Sequence, residues 1–193
     1  LKLPKTTLSA EELDTLMAKY PDLEVTYTLG LAGKEYTADT TSVDLSALPS
    51  NEILAAAETL GRMPELANVE LMTAAGTSPL SLSDVQTLVD AAPQASFHYT
   101  FTLFDKTIST NDTQVEFKNL SLTEADIPAL RSALGVMTDC TAFILDNCGL
   151  SSEQMAQIRA DYPRTELVWR IKFGKYSAMT NAETIRAVYN VFD

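Results

Sequence analysis

The sequence predicts an α/β protein assembled from internal repeats, and three observations carry that prediction. The pair Leu8-Ser9 recurs as Leu80-Ser81 and Leu150-Ser151, so one segment is copied at offsets of 72 and 70 residues. In each copy a proline (Pro21, Pro93, Pro163) follows the leucine by thirteen residues. After each proline the hydrophobic period switches from helical spacing to two.

Between leucine and proline, Leu13 and Leu16, Val85 and Leu88, and Met155 and Ile158 lie three residues apart, which places each pair on one helix face. Ser9 with Glu12, Ser83 with Gln86 and Ser151 with Gln154 have the form of a capping box, in which two side chains satisfy orphan amides at a helix start. The proline ends the helix because it lacks an N–H and restricts the residue before it. The alternating runs that follow are Val25, Tyr27, Leu29, Leu31; Phe97, Tyr99, Phe101, Leu103; and Leu167, Trp169, Ile171, Phe173. These predict strands with one apolar face. Each runs into a turn, at Gly33-Lys34, Asp105-Lys106 or Gly174-Lys175, which predicts a hairpin.

The first two copies continue with a second strand (43–45 and 115–117), a second helix (51–62 and 124–134, with Gly61 and Gly135 as C-terminal caps) and a third strand (69–71 and 143–145). Full copies therefore cover 8–79 and 80–149, and a partial one covers 150–193, within a single repeat domain 1–193. Two α+β domains related by the 72-residue repeat are the competing arrangement. No Gly-, Ser- or Pro-rich linker separates the copies, which favours one body. In the partial copy, either 181–191 is expected to be a helix that covers the open edge of strand 167–173, or the native protein is expected to continue beyond Asp193.

Segment 140–150 resembles a leucine-rich repeat, with Cys140, Phe143, Leu145, Cys148 and Leu150 on its five pattern positions, and helix 152–162 is similar to the helical half of a ribonuclease-inhibitor-like repeat. Weaker matches are Leu66, Val69, Leu71 and Ala74; Val115, Phe117, Leu120 and Leu122; and Val43, Leu45 and Leu48. The resemblance implies a leucine-rich-repeat-like solenoid: a mostly parallel sheet, helices on one side and β-hairpin insertions.

The 14 basic and 26 acidic residues give a net charge of -12, which repels phosphate backbones and argues against a nucleic-acid partner. No stretch approaches the roughly 20 apolar residues of a transmembrane helix. The two cysteines, Cys140 and Cys148, flank the apolar run 143–145, and the eight residues from one cysteine to the other, if extended, span about 26 Å against a disulfide limit near 7 Å. Both are expected to be buried thiols.

Catalytic signals are sparse. The single histidine, His98, has no nucleophile or orienting carboxylate that the sequence can assign, and is read as a surface or hairpin-packing residue. Trp169 falls on the apolar alternation and is read as core. The sequons at Asn111 and Asn119 are short enough to arise by chance, and Gly30 and Gly33 are explained by turn geometry. No phosphate-binding loop, nucleophile elbow, zinc or calcium motif is present, so no cofactor and no metal are expected.

The outward residues of the short strands are Asp44, Glu70, Glu116 and Ile144, and the long strands add Thr28, His98, Thr100 and Arg170 to the same side. This mixed polar face with an acidic centre favours a basic or hydroxyl-rich partner, a protein or a glycan. The expected function is a non-enzymatic binding or assembly module. The alternative is a carbohydrate-binding or carbohydrate-active protein using carboxylates on that face. The chain opens on Leu1 rather than Met, as after removal of a tag or a leader, and a removed leader implies export; the expectation is one piece of a longer exported bacterial protein, extracellular or at the cell surface.

Overall fold

The computed structural model describes residues 10–20 and 28–184. By its internal contacts the chain divides into two compact units, Leu1–Tyr99 and Thr100–Asp193.

The first unit begins with helix α1 (Ala10–Lys19) and a hairpin of β1 (Thr28–Leu31) and β2 (Lys34–Thr37). Strand β3 (Ser42–Asp44), helix α2 (Ile53–Leu60), strand β4 (Asn68–Glu70), helix α3 (Leu82–Ala91) and strand β5 (Ser96–His98) follow. The three strands pair in parallel in the order β3-β4-β5, with Val43, Val69 and Phe97 on one rung and at most 2% exposed. In α2 the buried residues are Ile53, Ala56, Ala57 and Leu60, the spacing of a single apolar stripe.

The second unit repeats the plan. Its hairpin is β6 (Thr100–Leu103) with β7 (Lys106–Ser109), followed by β8 (Gln114–Lys118), α4 (Ile127–Val136), β9 (Ala142–Asp146), α5 (Ser152–Asp161), β10 (Glu166–Phe173) and β11 (Tyr176–Met179). Strands β8, β9 and β10 pair in parallel, and β11 folds back antiparallel on the second half of β10. Val115, Phe143 and Leu167 form the matching buried rung. The hairpins obey the repeat to the residue: Thr28 pairs with Thr37, Thr100 with Ser109 and Arg170 with Met179.

The expected leucine-rich-repeat-like solenoid is corrected by this topology. The described strands fall into four separate sheets of two to four strands, with no continuous sheet running through the copies. The reason lies in the 18-residue strand spacings, 25 to 43 and 97 to 115. A parallel neighbour requires a crossover of a dozen or more residues, usually a helix. Between β5 and β8 the chain supplies a hairpin instead, and β8 pairs with β9 alone.

Several local expectations shift as well. The first two hairpin turns centre on Ala32-Gly33 and Phe104-Asp105, all four at positive φ, as a two-residue type I′ turn demands, whereas the third has Gly174 first. Helix α3 is capped by Ser81 with Asp84, not by Ser83 with Gln86, because an aspartate at the third helical position reaches the cap amide as well as a glutamate does. Ser151 with Gln154 caps α5. Ser9 lies outside the described residues. Gly135 sits inside α4, whose cap is Met137. Of the expected helix 181–191, residues 181–184 are not helical, and the remainder lies outside the described residues.

Candidate binding face

Side chains alternate across a strand, so the residue after each buried rung points away from the core. In the first unit these are Asp44, Glu70 and His98, which stand on one rung of β3-β4-β5. One position before the core rung, Ser42, Asn68 and Ser96 form a second outward rung of the same face.

The charged rung is fixed by local bonds. One oxygen of Asp44 accepts from both the backbone N–H and the hydroxyl of Ser46 (3.1 and 2.7 Å), and the other from Lys34 Nζ (3.0 Å). These donors, Ser46 first and then Lys34, hold the Asp44 carboxyl at about 2. The hydrogen bonds of Glu70 have a similar layout: Oε1 accepts from the N–H of Met72 (2.8 Å) and Oε2 lies 2.8 Å from His98 Nδ1. Each acidic residue thus bonds the amide two residues on, where the chain leaves the strand, and still leaves its side chain about half exposed, at 53% for Asp44 and 42% for Glu70.

The second unit follows a different charge pattern. Glu116 and Ile144 share a rung, and the third member is Val168, which is buried. One rung on, Lys118 lies opposite Asp146. Glu116 is paired with Lys118 at 3.0 Å, and Arg170 grips both oxygens of Asp146, through Nε at 2.6 Å and Nη2 at 2.9 Å. That fork and the Arg170 charge hold the Asp146 carboxyl below its usual range.

The structure therefore brings Asp44, Glu70 and His98 together, and separately Glu116 with Ile144. Arg170 stands on the next rung, and Thr28 and Thr100 open the hairpin strands β1 and β6 rather than joining a parallel sheet. Lys34, Ser46, Lys118 and Asp146 were missed. The last two were legible, since they sit two residues beyond Glu116 and Ile144 on the same face. Lys34 reaches Asp44 only through the hairpin's return, which period counting does not show.

Trp169 is core, 7% exposed, with its indole N–H on Ser152 Oγ at 3.3 Å and the Arg159 guanidinium 4.2 Å from its ring. Both cysteines are free and buried, and burial raises both thiols. No described helix is long and apolar enough to cross a membrane.

No family model matches the chain, and neither a curated protein nor a solved structure matches it.

Proposed function

We propose that the chain is a binding or assembly module that takes a polypeptide partner on the outward rungs of its parallel sheets. The observation that carries this reading is the rung Asp44, Glu70 and His98, three polar side chains in register and about half exposed. A surface held in place before binding loses less entropy on binding than a mobile one. The neighbouring rung of Ser42, Asn68 and Ser96 adds short hydroxyl and amide groups, which suits an extended segment bearing basic or hydroxyl side chains. Proton chemistry is disfavoured at Asp44 and Asp146, because both carboxyls are held toward the ionised form whereas a general acid needs the opposite shift.

Capture from an extract of the source organism tests this reading. The wild-type protein is compared with a variant carrying Glu70→Gln, which removes a charge and keeps an acceptor for the Met72 amide, and Glu116→Lys, which reverses a charge. A specific partner retained by the wild type and lost by the variant, at an unchanged melting temperature, is expected. Recovery of the same partners by both proteins would overturn it.

A further inference from the structure

The internal repeat provides its own comparison for a cavity in the second unit. Strands β4 and β9 begin 74 residues apart (68 and 142), whereas helices α3 and α5 begin 70 apart (82 and 152). The second unit has thus lost four residues between strand and helix. In the first unit that stretch holds a turn closed by Thr73 and Thr77, whose backbones bond at 2.7 Å and hydroxyls at 2.9 Å. There Tyr99 donates its hydroxyl to the carbonyl of Leu80 at 2.7 Å. In the second unit only Asp146 to Gly149 remain, and Trp169 replaces the tyrosine.

At this shortened link lies a cavity of about 310 Å³, lined among others by Asn147, Ser152, Met155, Trp169, Arg170 and Lys172. It sits beyond the carboxyl end of β9 and beside the start of α5, the end at which parallel α/β sheets take ligands. Its size falls at the lower bound of small-molecule sites, about 300 Å³. The hairpin positions also change charge: Thr100 and Thr102 in one copy are Arg170 and Lys172 in the other, by the hairpin registers.

The lining offers three complementary groups. Lys172 is exposed and pairs with no carboxylate among the described residues, whereas Arg170 is taken up by Asp146. Ser152 Oγ accepts the Trp169 indole N–H, so its own proton is available to a ligand oxygen. Asn147 donates Nδ2 to Asn119 at 2.9 Å, which leaves Asn147 Oδ1 to accept from a ligand hydroxyl. The α5 N-terminus adds little, because Ser151 and Gln154 already cap each other. Neither Asp146 nor Glu153 lines the cavity.

We infer that this cavity binds a small polyhydroxylated carboxylate of the uronic-acid type. The carboxylate meets Lys172 Nζ, and the hydroxyls meet Ser152 and Asn147. A protein of net charge -12 repels an organic anion elsewhere, so a cavity lysine that pairs with no carboxylate among the described residues sets this place apart.

Calorimetric titration of the whole chain with glucuronate, glucose and sulfate, in parallel with Lys172→Gln and Asn147→Ala variants, decides the matter. Glucuronate is expected to bind saturably, and glucose and sulfate roughly tenfold or more weakly, since a charge-assisted bond and the hydroxyl contacts are each lost in one of them. Lys172→Gln weakens glucuronate to the level of glucose, and Asn147→Ala weakens both sugars. Lys172 is solvent-facing, so its variant keeps the wild-type melting temperature. No glucuronate binding, equal binding of sulfate, or unchanged affinity in Lys172→Gln would each overturn the proposal.

Discussion

His98 Nδ1 lies 2.8 Å from Glu70 Oε2, directly across one rung of the β4-β5 ladder. Both side chains are about half exposed, at 51% and 42%, so the pair is worth little as a folding device. A double-mutant cycle on Glu70→Ala and His98→Ala, read by urea denaturation, is expected to give a coupling of about 0.5 kcal/mol. The Glu70 single variant should cost more than the His98 one, because it also strips the Met72 amide of its acceptor. A coupling several times larger would mean that the rung exists for stability.

Among the described glycines at positive φ, Gly149 is the least open to change. Its φ is +90, and a Cβ there would stand 2.7 Å from the carbonyl oxygen of Leu122 and 3.0 Å from its nitrogen. Gly149→Ala is therefore expected to destabilise the second unit by about 2 to 3 kcal/mol in chemical denaturation. Gly33, at φ +74 with open space around it, should accept Asn at a cost of well under about 1 kcal/mol.

Acid should reveal Asp44. Its carboxyl is held at about 2 against an ordinary 3.8, so its bonds to Ser46 and Lys34 stabilise the fold fully above the ordinary value. The contribution is lost as pH falls through the depressed value. Melting temperatures of wild type and Asp44→Asn should differ at neutral pH and converge below about pH 2; solvent exposure keeps the difference small. A gap that widens on acidification would contradict the assignment.

The buried thiols should be silent in the folded protein. Cys140 Sγ donates to the Ala142 carbonyl and Cys148 Sγ to the Phe117 carbonyl, and burial raises both. A chromogenic disulfide reagent at pH 8 is expected to label neither cysteine rapidly in the native state and both in denaturant, since the thiolate is the reactive form.

How much of this was legible follows from which interactions are local. Helix α5 could be read because its cap, Ser151 with Gln154, and its apolar pair, Met155 with Ile158, lie within two turns of one another. The outward placement of Asp44, Glu70 and His98 could be read because strand periodicity needs only neighbouring residues. The division into separate sheets could not, since the 18-residue spacing of strands 97 and 115 looks like a short repeat until its hairpin is seen to replace a crossover. Arg170 was placed on the outward side from strand periodicity, but its pairing with Asp146 could not be read, because that ion pair joins residues 24 apart in sequence. The cavity beside Trp169 was hidden for a related reason: it arises from residues that the second copy lacks.

Site-specific photo-crosslinking tests the central claim, a polypeptide partner on the outward rungs, most directly. A photoreactive residue at Asn68, exposed on the outward face of β4, is compared with one at Glu58 on helix α2, each incubated with the source extract and irradiated. A discrete crosslinked polypeptide is expected from Asn68, competed away by unlabelled wild-type protein and not by the Glu70→Gln, Glu116→Lys variant, and none from Glu58. A crosslink from Glu58 with Asn68 silent, or one from Asn68 that the variant competes as well as wild type does, would contradict it.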